Sequence, residues 1–326
     1  MSPRTLEEQL TKYLTDVLSI EQQALVQMRA APKLAGDEAI AAAFTRHLTE
    51  TEDHERLVRE CLEARDEKPN KLKDVAAGVI GAGLGAFAAS QPDTPGKLVA
   101  HAYAYEHMEE AAYELVGLLA GRLADTQAIE TARTIEFQEQ EMACRLEALF
   151  DAAAEASLRA QDPDDLGEQL DKYLADAHAI EEQAIALLSK SPKLAGDDEL
   201  AAAYEEHLEE TKGHRQLIGD RLEARGAKPA KLKDAALRLG ALNWGAFFAA
   251  QPDTPAKLAA FAYAFEHLEI GSYELLRRVA LRAEDSETVQ VADRILEQER
   301  AAADKLRSLF AQALDGSLRE LSLPAR

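Results

Sequence analysis

The chain is written twice. Residue i can be set against residue i+160 from Leu6 and Leu166 to Leu158 and Leu318 without a gap, and about half of the pairs are identical. A period of that length is several times larger than a solenoid unit, so each copy must bury a core of its own. At 326 residues the chain also exceeds what one core usually organises. Two tandem domains are expected, residues 1–160 and 161–326.

Within each copy the apolar residues recur at the helical period. Leu10, Leu14, Val17, Glu21, Ala24 and Met28 advance in steps of three and four and make one stripe of a first helix over residues 6–29. Pro32 and Gly36 of PKLAGD are expected to break it, and Asp37 is a suitable N-cap for a second helix, residues 38–65. A connection of nearly thirty residues follows, with a short crossover helix expected around 71–88. Its run Val75 to Ser90 is too short and glycine-rich to span a membrane, and Gly81-x-Gly83-x-Gly85 follows no strand, as a dinucleotide loop would. QPDTP then offers Asp93 or Thr94 as N-cap and Pro95 for the first turn of a third helix, 96–120. A turn near Gly121 to Asp125 leads into a fourth, 126–156. Short links make helices one and two, and three and four, antiparallel neighbours, while the long link lets the chain cross the bundle. The expected fold class is all-α: two tandem four-helix bundles with a long crossover between helices two and three, the ferritin-like arrangement.

Ligand-type residues interrupt the apolar stripes. In the second helix the stripe runs Ile40, Phe44, His47, Glu50, His54, Leu57, Cys61, and the second copy repeats the polar members as His207, Glu210 and His214. The other helices contribute Glu21, the pair Glu106 and Glu109, and Glu139, repeated as Glu181, Glu266, Glu269 and Glu299. With a rise of about 1.5 Å per residue, these glutamates lie at similar distances from the two hairpin turns, so they meet at mid-height. Several carboxylates cannot share a dry core as anions, since burial costs each several kcal/mol and they repel one another. Two divalent metals relieve both problems, and carboxylates with imidazole suit iron or manganese.

The candidate metal ligands are therefore Glu21, Glu50, His54, Glu106, Glu109 and Glu139, and in the second copy Glu181, Glu210, His214, Glu266, Glu269 and Glu299. His47 and His207 are alternatives to His54 and His214, or bond a ligand carboxylate from behind. His107, turned about 100° from Glu106, is expected behind the ligands. Glu110, Glu136 and Glu141 do not recur and read as surface residues. Tyr113 and Tyr273, one turn after Glu109 and Glu269, are the candidate catalytic groups, donating to a ligand carboxylate or carrying an oxidising equivalent; a packed tyrosine satisfied by a nearby acceptor is the plainer alternative.

A formal net charge of -22, with no basic block to offset it, argues against nucleic acid and anionic membranes as partners and is compatible with attracting cations. The opening MSPRTLEEQL lacks the apolar core of a signal peptide. Cys61 and Cys144 are not repeated, their counterparts being Arg221 and Asp304, so a reduced, cytoplasmic setting is expected.

IEQQAL, PKLAGD, HLTETEDH, YEHMEEAAY and the helix carrying Glu139 resemble the YciE/YciF group of ferritin-like proteins, a DUF892-type domain, across nearly all of both repeats. The resemblance implies a dinuclear iron or manganese site, an association with stress responses and no settled reaction. It assigns Glu21 to helix one, Glu50 with a histidine to helix two, Glu106 and Glu109 to helix three and Glu139 to helix four. Two features depart from the general di-iron pattern: histidine follows Glu50 by four residues rather than three, and Met142 and Ala302 stand where a helix-four histidine would be expected. The function expected is a reaction with dioxygen or peroxide in iron handling or oxidative-stress defence, with a substrate oxygenase or oxidase, or a non-enzymatic metal-binding scaffold, as alternatives. The fused copies are expected to pack as a pseudo-dimer, with further homo-oligomers open.

Overall fold

The computed structural model describes residues 3–65, 94–159, 165–227 and 253–325, which form two compact units dividing after Arg159. The expected crossover helix and Asp93 lie outside the described residues. Every element among the described residues is helical, and none of these helices is long and apolar enough to cross a membrane.

In the first unit α1 (Leu6–Leu34), α2 (Glu38–Glu63), α3 (Thr94–Leu123) and α4 (Thr126–Glu147) close a ring in which α1 packs on α2 and α3, and α4 on α2 and α3. A short α5 (Phe150–Leu158) folds back onto α3. The second unit repeats this with α6 (Leu166–Leu188), α7 (Asp198–Ala224), α8 (Thr254–Arg282), α9 (Ser286–Ser308) and α10 (Phe310–Glu320). All six residues of the stripe from Leu10 to Met28 are buried.

Both hairpin turns are set by local chemistry. Gly36 turns at φ 65°, and the Asp37 side chain accepts from the amides of Ala39 and Ile40 to start α2. A Cβ at Gly36 would lie 2.9 Å from Pro95 Cγ, and one at Gly196 2.7 Å from Pro255 Cγ, so the αL conformation and the close approach of α3 or α8 both require glycine there. At the second turn the Asp125 amide reaches back to the Ala120 carbonyl, the six-to-one bond of a Schellman motif, and its side chain caps Ala128.

Two boundaries differ from expectation. Pro32 does not break α1, which runs through it to Leu34. The second copy does stop early, at Leu188, where the hydroxyls of Ser189 and Ser191 take the Ile185 and Leu187 carbonyls; the first copy has Arg29 and Ala31 at those positions and no such competition. The fourth helix is not continuous to residue 156. It tightens at Ala148 and Leu149, and this bend brings Ser157 Oγ 2.7 Å from the Gly96 amide, where it accepts a bond that helps cap α3. Ser317 does the same for Ala256 at 2.9 Å.

Candidate metal centre

The inward face of α2 carries Ile40, Phe44, His47, Thr51, His54, Val58 and Cys61. At 100° per residue Glu50 lies roughly 70° from the centre of that face, and Leu57 roughly 90°. Both are only partly buried. The two histidines, by contrast, are fully enclosed and stand with ring centroids 6.1 Å apart.

From α1, α3 and α4 the glutamates Glu21, Glu106, Glu109 and Glu139 project into the same space, each at most 1% exposed. Glu139 is the hub. Its Oε1 is 2.9 Å from His54 Nδ1, and its Oε2 is 3.2 Å from His47 Nε2. Glu106 Oε2 lies 2.9 Å from the same Nε2, and Glu21 Oε2 lies 3.7 Å from His54 Nδ1. Two groups result, Glu21–His54–Glu139 and His47–Glu106–Glu139, each able to hold a metal ion and both sharing Glu139.

The outer nitrogen of each imidazole is tied down separately. His47 Nδ1 meets Glu50 Oε2 at 3.0 Å, and His54 Nε2 meets Gln138 Oε1 at 2.7 Å. Glu50 in turn takes Arg145 at 2.9 and 3.2 Å and Arg46 at 3.0 Å. Glu50 and Glu210 thus stand behind a histidine, outside the groups that converge, whereas His47 and His207 stand inside them. Tyr113 donates to Glu21 Oε1 at 2.5 Å, and Tyr273 donates to Glu181 in the same way. His107 bonds Glu110 at 2.8 Å and joins neither group. Glu110, read above as a surface residue, is in fact 1% exposed, held by His107 and Gln140. Glu136 is partly buried and Glu141 is exposed.

Charge follows the geometry. Burial raises Glu106 to about 8 despite His47 beside it, and raises Glu109 well above the carboxylate range with help from the charges of Glu139, Glu21 and Glu106. Glu21 is also raised, chiefly by burial. Burial pushes Glu139 the same way, but His47 and His54 overcome it and hold that carboxyl below its ordinary value. Burial alone would lower both histidines; Glu106 and Glu139 instead hold His47 well above its ordinary value, and Glu139 and Glu21 lift His54 to about 10. Glu50, against the pull of burial, is lowered to about 2 by His47 and Arg145.

The donor set fits a pair of divalent metals. Both oxygens of Glu106, Glu109 and Glu139, Glu21 Oε2, His47 Nε2 and His54 Nδ1 are buried without an aligned hydrogen bond, although several of them lie within 3.2 Å of one another. Buried polar atoms are rarely left so. Four carboxylates and two imidazoles are also the inventory of a di-iron or di-manganese bundle, here with both histidines on one helix.

The family profile described as "Domain of unknown function (DUF892)" matches residues 5–159 and again 165–318. The chain belongs to this family. No solved structure matches it.

The second DUF892 domain repeats the centre with small shifts. Glu299 Oε1 is 2.8 Å from His214 Nδ1 and its Oε2 is 3.4 Å from His207 Nε2, which approaches Glu266 Oε2 at 2.7 Å. Here Glu269 joins His207, Glu266 and Glu299 in one group, and Glu181, His214 and Glu299 form the other. His207 and His214 are raised against burial, chiefly by Glu266 and Glu299 respectively; burial raises Glu266 to about 7 and Glu181 to about 8. The surroundings differ more than the centre does. Position 145 is Arg in the first copy and 305 is Lys in the second, which bonds Glu199 at 2.7 Å instead of Glu210. Phase along α2 would have singled out His47 and His207 from the sequence: Ile40, Phe44, His47 and His54 all lie within about 80° of one another.

Proposed function

We propose that each domain would hold two divalent ions, iron or manganese, with Glu139 in the first and Glu299 in the second common to both donor groups, and that the centres react with dioxygen or peroxide. The observation that carries this reading is the sharing of one carboxylate between two histidine-containing groups, oxygen by oxygen. His54 and Glu21 would hold one ion, His47 and Glu106 the other, with Glu109 completing the set. Metals so held would supply the one-electron redox chemistry that these side chains lack.

The chain's own residues have separate tasks. Glu50 and Gln138 fix the ring orientation of His47 and His54, so that one nitrogen of each faces inward. Tyr113 occupies one oxygen of Glu21 and leaves the other for the centre. Phe44 and Val58, buried on the same face of α2 about one turn before His47 and after His54, put apolar cover at both ends of the pair of rings.

Aerobic titration of the metal-free protein with iron(II) tests the proposal. Oxygen consumption that continues beyond about four irons per chain, the filling of two two-metal sites, is the expected result. Binding that stops at stoichiometric occupancy without oxidation would favour a metal-binding scaffold, and no binding would refute the proposal.

A further inference from the structure

The two repeats share a ligand set but not its approach. Beside the second centre the described residues line a cavity of about 220 Å³, formed by Tyr204, Glu206, His207, Glu210, Ala302 and Lys305 among others. That volume holds several waters, enough for a hydrated cation. Its inner wall includes His207, whose Nε2 belongs to the four-residue group. Tyr204 is fully buried, and its hydroxyl has no hydrogen-bond partner among the described residues.

In the first domain the same positions are Phe44, Arg46, His47, Glu50, Met142 and Arg145. Arg46 and Arg145 both bond Glu50, and Arg145 also lies 3.9 Å from the sulfur of the fully buried Met142. Arg46, Met142 and Arg145 therefore stand where the second domain has Glu206, Ala302 and a Lys305 turned to Glu199, while Glu50 and Glu210 are the shared carboxylate. Glu50 is 14% exposed and Glu210 35%, so the second carboxylate is the one a solvated ion can reach.

We propose that the cavity beside His207 is an entry port for a divalent cation, with Glu206, Glu210 and the Tyr204 oxygen as its transient ligands, and that Arg145 and Met142 close the equivalent route in the first domain. The two centres then load metal at different rates, the second first. This inference rests on the dinuclear proposal above and adds a direction of filling to it. A mouth with two carboxylates and one amine attracts cations, whereas one whose single carboxylate is held between two guanidiniums disfavours them.

Stopped-flow uptake of cobalt(II) by the metal-free full chain, followed by its visible absorption, tests the port without any turnover. Two phases are expected. Glu299→Gln should remove the fast one and Glu139→Gln the slow one. Giving the second domain the first domain's residues, Glu206→Arg with Ala302→Met and Lys305→Arg, should slow the fast phase at least about tenfold, the low end of what focused charge does to association rates. Its final cobalt content should not change. Tyr204→Phe should slow the same phase less. Conversely, Met142→Ala with Arg145→Lys should speed the slow phase, which keeps the inference testable if the triple variant folds poorly. Equal filling rates in the parent, or phases indifferent to both exchanges, would overturn the port while leaving the dinuclear proposal standing. Failure of either domain to bind cobalt would overturn both.

Discussion

Two glutamates of the first centre are equally buried yet sit in opposite charge environments, and their amides should behave oppositely. Glu139 faces His47 and His54 and is held ionised by them; Glu109 has three carboxylates around it and is pushed well above the ordinary range. In the metal-free protein at neutral pH, Glu139 is thus an anion between two charged imidazoles, while Glu109 is a neutral acid. Glu139→Gln removes the anion and leaves two buried rings facing one another, with Glu106 still beside His47. Breaking a buried charge pair costs about 3–5 kcal/mol; the low end, about 3, applies because the rings can shed their protons. In a domain of this size about 1 kcal/mol moves Tm by about 2–4 °C, so the first domain's metal-free transition should drop by roughly 6–12 °C. Glu109→Gln exchanges one neutral group for another and should stay within about 1 kcal/mol of the parent. Metal content separates them differently: Glu139→Gln should empty both positions of its domain, Glu109→Gln weaken one. Calorimetry in chelator and elemental analysis after anaerobic reconstitution with iron(II) or manganese(II) provide both readings. A metal-free Tm unchanged by Glu139→Gln, or a larger loss from Glu109→Gln, would refute the assigned charges.

Protonation gives a pH prediction. Glu106 is raised from 4.5 to about 8 and His54 from 6.5 to about 10, so the folded metal-free protein binds extra protons, and the stability they confer is lost as pH rises through those values. Metal-free Tm should fall between pH 6.5 and 10 while the increment from added manganese(II) grows, since the cation replaces those protons; thermal melts with and without chelator check this, and a metal-free Tm that climbs with pH contradicts it. Glu50→Gln replaces the charged acceptor behind His47 by a neutral amide and should weaken metal binding at that position about 10–100-fold, leaving the His54 position alone. Titration calorimetry would expose the alternative, because loss of both metals would make Glu50 a ligand. Gly36→Ala must force a side chain into φ 65° and against Pro95, so the first domain should lose at least about 1–2 kcal/mol in denaturant unfolding with no change in metal stoichiometry.

Much of this was legible because backbone rules are local. The six residues that steps of three and four single out on α1 are all buried, and Asp37 caps α2 as its position before Glu38 suggests. The face of α2 was harder. After His47 a step of three reaches Glu50 and a step of four reaches Thr51, and threonine suits either environment; a carboxylate beside two histidines invites the wrong choice of face. Packing resolves it, because Thr51 bonds back to the His47 carbonyl and stays inside while Glu50 finds Arg145. Glu110 misleads in the opposite way. Its non-recurrence suggested the surface, yet the counterpart is Ile270, and an apolar residue at the paired position is itself a signal of burial.

The placement of both histidines on α2 accounts for a feature of α4 that otherwise looks like a loss. A bundle that draws one histidine from each of two helices needs a Glu-x-x-His on both. Here His47 and His54, seven residues apart on one face, reach the two oxygens of a single Glu139, so α4 has only to supply that carboxylate. In the proposed centre, positions 142 and 302 have no ligand to supply. One copy has used the freedom to pack Met142 beneath Arg145, the other to leave Ala302 lining a cavity. The duplication preserved the donor atoms almost unchanged, because altering any of them strands a buried charge; a neighbour that only covers the centre carries no such penalty. Around these centres the two copies accordingly diverge in the residues that cover them and keep the converging donors.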